Sequence, residues 1–377
     1  MQTRPPRISR RQILTAAALL PSAAIRGTAA NSAPSVGLIG SGGRGSYDAS
    51  LVVKHTGARV VALCDLFDDR IERAKKTIPV DNPRVYKNYQ DLLASDLDAV
   101  IIATPVFLHP EHFEAAAAAR KHIYIEKPAA VDVAGCKRLI RAADSADRRL
   151  NITFGFQQRY GPGYRKAKQL IDSGSIGVIR MAHAHFIKGA FTGNETPAPK
   201  PAAYEEKIRQ WGVWRETFGD IIVETHCHSI DALNWFLGDH PQKAYGAGGR
   251  TAEKRGDILD HCNVTFTYPG NVAAVLTGAH LTPRFYRSVH EQYFGSTGVV
   301  ETAREYWTHY RDRNDAVTER EPRDITIDAL QEFVRRIQEG KPENTAVRGA
   351  ESTLTAILGR MAMDLRREVT WEEMLKS

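Results

Sequence analysis

Between residues 34 and 155 the chain alternates short, wholly apolar runs with amphipathic stretches of helical period. The runs at 36–39, 58–63, 99–103, 122–125 and 151–156 predict strands, and the stretches at 47–55, 69–76, 89–93, 110–120 and 130–145 predict helices between them. Strands that lack a polar face must be covered on both sides, the condition of a parallel sheet flanked by helices. The connections are short, so each helix crosses back onto the same sheet in the right-handed sense. This segment predicts a doubly wound α/β domain.

Past Gly155 the period changes. A helix is predicted over 164–173, followed by longer strand patterns at 179–186, 243–250, 263–268, 272–279, 288–295 and 299–302. Tyr268-Pro269-Gly270-Asn271 joins two of them as a hairpin-type turn. One helix, 225–237, is embedded among these strands and stops at Gly238. The pattern predicts an α+β domain on a large, mostly antiparallel open sheet over 156–310. Helical patterns at 327–338 and 348–367 predict that 311–377 folds back as helices on the first domain or the interface. Residues 190–203, rich in Pro, Thr and Gly, read as a loop.

With 377 residues, 42% hydrophobic and 25% charged, the chain is globular and long enough for two cores. Its formal charge of +7 suggests a nucleic-acid partner, but the distribution excludes one. Arg4, Arg7, Arg10, Arg11 and Arg26 fall within 1–30, which has no acidic residue, and without them the charge is about +2. Ser9-Arg10-Arg11-Gln12-Ile13-Leu14 is a twin-arginine pattern, followed by an apolar run at 13–25 and by Thr28-Ala29-Ala30, suited to cleavage. The run is shorter than the roughly 20 residues of a membrane span. Residues 1–33 are therefore expected to be a leader for the twin-arginine export machinery, making the protein periplasmic or otherwise exported, with no stable membrane span. The competing reading is a basic, unstructured tail. Cys64, Cys136, Cys227 and Cys262 are widely spaced and form no C-x-x-C, so buried free thiols are expected rather than disulfides or zinc.

Gly40-Ser41-Gly42-Gly43-Arg44-Gly45 matches G-x-G-x-x-G between the first predicted strand and the first predicted helix, the context a dinucleotide site requires. Gly40 permits the tight turn, Gly42 lets backbone N–H groups approach a pyrophosphate, and Gly45 allows the helix to pack closely. The helix N-terminus adds partial positive charge. Asp65 closes the second strand. A carboxylate there accepts from a ribose 2′-hydroxyl and repels a 2′-phosphate, so NAD is expected over NADP; nearby Arg70 keeps NADP open. Capping of the next helix is the alternative role for Asp65. Ala103-Thr104-Pro105, His109 and Glu126-Lys127-Pro128 fall where the third and fourth strands end, the edge along which open α/β sheets bind ligands.

Farther on, Glu224-Thr225-His226-Cys227-His228-Ser229-Ile230-Asp231 opens the embedded helix. This E-x-x-x-H-x-x-D stretch follows the glycine turn, A-T-P-x-x-x-H, E-K-P and Gln157-Gln158-Arg159-Tyr160, and Val369-Thr370-Trp371-Glu372-Glu373 closes the chain. In that order and spacing, everything after the leader resembles the Gfo/Idh/MocA family, which includes glucose–fructose oxidoreductase and inositol dehydrogenase. The resemblance implies a Rossmann domain for the nucleotide and a sheet-faced domain for the substrate. NAD is then expected on residues 40–45, Asp65, Arg70, Thr104, Pro105, His109, Glu126, Lys127 and Gln157.

The resemblance also implies that Lys127 and His228 hold the reacting hydroxyl, His228 as general base and Lys127 orienting the oxygen. Alcohol oxidation needs a base for the hydroxyl proton and a hydride acceptor, and histidine titrates near neutrality. Glu224 is expected to orient the imidazole or to contact substrate hydroxyls. The family commonly has aspartate at that position and glycine where His226 stands. Arg159, Tyr160, Trp211, Trp214, Arg215, His226 and Asp231 are candidates for contact with a polyhydroxylated substrate. Ordinary core or interface roles are the alternative for Tyr160, Trp211, Trp214 and Arg215, as a solvated loop lysine is for Lys127 and a structural helix histidine for His228. Glu224, His226, His228 and Asp231 also raise a metal site, but H-x-H without a clear third protein ligand is too loose a pattern, and no metal is expected.

The favoured function is hydride transfer between NAD(P) and a secondary hydroxyl of a sugar, polyol or glycoside. An exported enzyme meets no refreshed nicotinamide pool, so the NAD is expected to be tightly bound and reset within each cycle. That requirement keeps open a redox-assisted glycosidase, which oxidises, eliminates, hydrates and re-reduces. A non-catalytic sugar-binding protein is the third reading. The open sheet predicts a homodimer or homotetramer.

Overall fold

The computed structural model describes residues 33–191, 197 and 199–377. The expected leader, but for its last residue, and part of the 190–203 loop lie outside these residues. Six strands, β1 (Ser35–Ile39), β2 (Arg59–Cys64), β3 (Arg84–Tyr86), β4 (Ala99–Ile102), β5 (His122–Ile125) and β6 (Ile152–Phe154), form a parallel sheet in the order β3-β2-β1-β4-β5-β6. Helices α1 (Gly43–His55), α2 (Asp68–Thr77), α3 (Tyr89–Ala94), α4 (His109–Ala118) and α5 (Val133–Ser145) connect them. Strand order reverses between β1 and β4, which opens a crevice beyond their carboxyl ends. The apolar pattern did not reveal β3, whose three residues Arg-Val-Tyr are too short and too exposed to form an apolar run.

The second sheet has nine strands: β7 (Ile179–Gly189), β8 (Lys243–Gly249), β9 (His261–Tyr268), β10 (Val272–Thr282), β11 (Arg287–Gly295), β12 (Val299–Ala303), β13 (Tyr306–Asp312), β14 (Asp315–Arg320) and β15 (Val369–Thr370). Their order is β14-β13-β12-β11-β7-β10-β9-β8-β15, antiparallel except for the central β7/β10 pair. The sheet thus runs past residue 310, and 311–377 begins with strand rather than helix. The reason is chemical: β14, Asp-Ala-Val-Thr-Glu-Arg, is a polar edge strand with no buried face to betray it.

Helices α6 (Pro162–Asp172), α7 (Cys227–Leu237), α8 (Ile325–Glu339), α9 (Ala346–Leu365) and α10 (Trp371–Leu375) follow, with short helical turns at Tyr204–Arg209 and Arg215–Phe218 between α6 and α7. The embedded helix starts at Cys227, two residues later than its pattern suggested, because Ile221–Glu224 forms a separate short turn of helix. One face of the large sheet packs on α6, α7 and α9. Along β7 the inward positions Ala182, Ala184 and Phe186 are buried, while His183 and His185 lie on the other, half-exposed face.

The last helices return to the first sheet. Leu330, Phe333 and Val334 of α8 pack with Val36 and Leu38 of β1. The Thr345 hydroxyl accepts from Phe154 N–H at 2.9 Å, and the Thr353 hydroxyl accepts from Ala129 N–H at 2.9 Å. The Arg360 guanidinium donates to the carbonyls of Val131 and Gly219, tying the two parts together. All four cysteines are buried and free. Among the described residues, no helix is long and apolar enough to cross a membrane.

Candidate active site

The glycine turn is built as the fingerprint requires. Gly40 has φ +94°, and a Cβ there would lie 2.6 Å from the Ala103 carbonyl oxygen. A Cβ on Gly45 would lie 2.1 Å from the Gly40 carbonyl oxygen, so neither position admits a side chain. At Gly42 and Gly43 a Cβ would meet nothing within 4 Å. The open space lies over the start of α1, where Ser46 N–H makes the bond to the Gly42 carbonyl. N–H groups ahead of Ser46 have no place in the helical ladder and are available to an anion.

Asp65 stands beside this turn. One carboxylate oxygen accepts from Ser41 N–H at 2.9 Å and the other from Phe67 N–H at 3.0 Å. Burial pushes its carboxyl above the usual range, against the pull of these N–H groups and of Arg70. Asp65, Gly40, Gly42, Arg70, Thr104 and Pro105 line one groove of about 250 Å³. The residues present fit a dinucleotide: donors and space for its phosphates, and a carboxylate for its ribose.

A second cavity of about 290 Å³ shares Ala103 and Thr104 with that groove. It brings together Arg44, His109, Glu126, Lys127, Gln157 and His228, with Glu224, Trp211, Lys188 and Arg304. Lys127 Nζ donates to Glu224 Oε1 at 2.7 Å and to the Glu224 carbonyl at 2.6 Å. Burial works against the ammonium, but Glu224, Cys227 and Glu126 outweigh it and hold the Lys127 pKa above the ordinary value. Burial also opposes the Glu224 carboxylate, yet the Lys127 charge and the Lys127 and Thr225 hydrogen bonds keep its pKa low. The pair is therefore ionised. Arg44 donates to Glu126 at 2.9 Å. The His109 ring lies between the Pro128 carbonyl at 2.7 Å and the Thr104 carbonyl at 2.9 Å, bracing the two strand-end turns.

His228 lines the same cavity, and its Nδ1 is buried without a hydrogen-bond partner. Burial, then Lys127 and the other cations, hold its pKa well below the ordinary histidine value, so the ring is neutral. Gln157 also carries a buried, unpartnered Oε1 into this region. Glu224 is delivered by an unusual turn in which Gly219 and Asp220 both have positive φ, +81° and +83°. The strain at Asp220 is offset because its buried carboxylate accepts from Ile221 and Leu259 N–H and faces Arg215 at 2.8 Å.

Several expected contacts are corrected here. Glu224 has no hydrogen bond to the His228 ring; its oxygens are taken by Lys127 and Thr225. Arg159 and Asp231 bind each other at 2.9 Å, with Ser352 on the same carboxylate, as a buried ion pair away from the cavity. Arg215 is engaged by Asp220 and Asp364, and Tyr160 is buried in the core under α8. Trp214 is buried, and Trp211 takes the cavity wall. His226 is fully buried behind the wall against Phe186 and His280, in space left by Gly278, where a Cβ would lie 2.2 Å from the ring. Sequence reading missed Lys188 and Arg304. The signal was present for Lys188: a lysine two residues after Phe186 continues the inward face of β7.

Residues 35–154 match the family model for an oxidoreductase family with an NAD-binding Rossmann fold, and residues 164–301 match the GFO/IDH/MocA C-terminal domain. With the glycine turn, Asp65 and the adjoining cavity, this defines an NAD-binding oxidoreductase. The chain belongs to the Gfo/Idh/MocA family. Myo-inositol 2-dehydrogenase from Thermotoga maritima is 24% identical over 360 residues, 90% of this chain and 99% of that protein. Inositol 2-dehydrogenase 3 from Saccharopolyspora erythraea is 29% identical over 267 residues, 70% of this chain and 72% of that protein. A solved levoglucosan dehydrogenase, in complex with NADH and levoglucosan, has a TM-score of 0.77 at 17% identity, covering 89% of this chain and 99% of that one.

Proposed function

We propose that this oxidoreductase is a sugar or polyol dehydrogenase that removes hydride from the carbon bearing a secondary hydroxyl. The observation that carries the reading is the continuity of the nucleotide groove with a cavity holding an ionised Lys127–Glu224 pair and a neutral His228. NAD would sit on the glycine turn, Asp65 and Thr104, with its reactive end toward Glu126, Lys127 and Gln157, and it supplies the hydride acceptor. Lys127 donates a hydrogen bond to the substrate oxygen and stabilises the negative charge that develops as its proton leaves. His228, neutral at pH 7, takes that proton. Glu224 fixes the position and charge of Lys127. The inositol dehydrogenases and the levoglucosan dehydrogenase among the similar proteins support a sugar or polyol substrate here.

Two further features belong to this reading. The twin-arginine pattern at Arg10-Arg11 supports export of the folded enzyme with NAD tightly bound. The open outer face of the nine-stranded sheet supports a homodimer or homotetramer. The decisive experiment incubates the protein with a sugar, polyol and glycoside panel, with and without added NAD, and measures product mass and NADH. A product lighter by two hydrogens with matching NADH is expected. A cleaved glycoside with no net NADH would overturn the dehydrogenase in favour of a recycling glycosidase.

A further inference from the structure

The cavity holds four cations, Arg44, Lys127, Lys188 and Arg304, and only two of them are matched. Arg44 is paired with Glu126 and Lys127 with Glu224. Neither Lys188 nor Arg304 has a carboxylate within ion-pair distance among the described residues, and Arg304 Nε is buried without a hydrogen-bond partner. Lys188 rests on the Phe186 ring, 5.2 Å from its centroid, at the end of β7. Directly opposite it in the β7/β11 register stands Arg287, a third cation with no ion pair among the described residues. Like charges facing each other across strands destabilise a sheet. The mutual repulsion shows in Lys188, whose pKa falls to about 8 through burial first, then Arg287, Lys127 and Arg304. Arg304 also borders a neighbouring cavity of about 720 Å³ that reaches Arg287, so the three cations form one continuous wall.

The cofactor does not supply the missing negative charge. Its phosphates would lie on the glycine turn, toward the groove lined by Gly40 and Gly42, and an oxidised nicotinamide ring would add positive charge to this cavity. Building on the dehydrogenase reading, we propose that the substrate is an acidic sugar or polyol, whose carboxylate or ester phosphate is held by Lys188, Arg304 and Arg287. A guanidinium fork and a lysine point charge suit either group. The hydroxyl to be oxidised then lies at the Lys127–His228 end and the acidic group at the Arg304 end.

The test titrates the NAD-saturated full chain calorimetrically with glucose, glucuronate and glucose 6-phosphate, following NADH in parallel, for the wild type, Lys188→Ala, Arg304→Gln and Arg304→Lys. At least one acidic probe is expected to bind about tenfold or more tighter than glucose, and the acid that does so tells carboxylate from phosphate. The advantage should fall about tenfold in Lys188→Ala and Arg304→Gln and return in part in Arg304→Lys. Without ligand, Lys188→Ala and Arg304→Gln should melt no lower than the wild type, because removing a cation relieves repulsion; a purely structural role predicts a lower melting point. Equal binding of glucose and both acids, no binding of either acid, or an advantage that survives both substitutions would overturn the acidic-substrate proposal. The dehydrogenase reading fails separately: an acid preference without NADH from any probe keeps the anion site and removes the hydride chemistry. NADH formed equally from all three probes does the reverse.

Discussion

The glycine turn makes a prediction in which two similar substitutions part company. Replacing Gly45 with alanine sets a methyl group 2.1 Å from the Gly40 carbonyl oxygen, with Leu38 at 3.0 Å and Ala103 at 3.2 Å. The nearest obstacle is backbone, so α1 must back away from the turn by about 1 Å. Overpacking of this kind costs about 1–3 kcal/mol, offset by up to about 1 kcal/mol of helix propensity. The net loss, up to about 3 kcal/mol, lowers the melting point by up to roughly 4 °C in a chain of this length. At Gly42, just before the first residue of α1, the same methyl meets no protein atom within 4 Å. Gly42→Ala should therefore melt close to the wild-type temperature when free of cofactor, yet fill the space over the helix start that the phosphates approach. Its NAD affinity is expected to drop about tenfold or more, about 1.4 kcal/mol. Scanning fluorimetry of cofactor-stripped protein and calorimetric NAD titration read the two effects apart. A Gly42→Ala protein that binds NAD like the wild type would refute the placement of the diphosphate over this turn.

Three other outcomes follow from the same geometry. Asp65→Ala should lower the ratio of NAD to NADP efficiency about tenfold, measured as kcat/KM with each nucleotide; an unchanged ratio removes Asp65 from nucleotide selection. His228→Asn should reduce turnover about 10²–10⁴-fold while NAD still binds, the signature of a lost base, whereas a change confined to KM would assign it to binding. Glu291 is buried under the Ser229, Tyr164 and Thr302 hydroxyls, and burial pushes its carboxyl up to about 7. The folded protein holds that proton more tightly than the unfolded chain does, so the stabilisation is full below about pH 4.5 and is lost as pH rises through about 7. The loss amounts to about 3 kcal/mol. Melting curves of the wild type should fall relative to Glu291→Gln between pH 5 and 8, and parallel curves would sink this account.

Much of the first domain was legible because parallel strands buried on both faces read as apolar runs. Its glycine turn carries steric demands that only glycine meets. Lys127, Glu224 and His228 were brought together only through the resemblance to the family, because Lys127 and Glu224 meet across 97 positions, a contact that no local pattern reveals. The failures have physical causes. Arg159 and Asp231 look like substrate ligands in sequence, but each satisfies the other across 72 positions, a pairing that no local pattern reveals. Trp211 and Trp214 are three residues apart, and only the turn around them decides which one reaches the cavity. β13 and β14 were lost because they lie toward a sheet edge and carry polar, charged outer positions. Lys188 was legible in principle, since a charge on the inward side of a strand demands a partner.

The return of α9 to the first sheet imposes an order on biosynthesis. β6 takes part of its backbone pairing from residues 343–345, and the ring of Phe154 packs where Gly349 has no side chain. A ribosome that has released residues 34–155 has thus produced a nucleotide-binding sheet whose β6 edge still waits for the other end of the polypeptide. Until almost the whole chain has emerged, that edge is open to wrong partners. A chain cut short before residue 345 would leave that edge unpaired, the kind of open strand on which wrong pairings start.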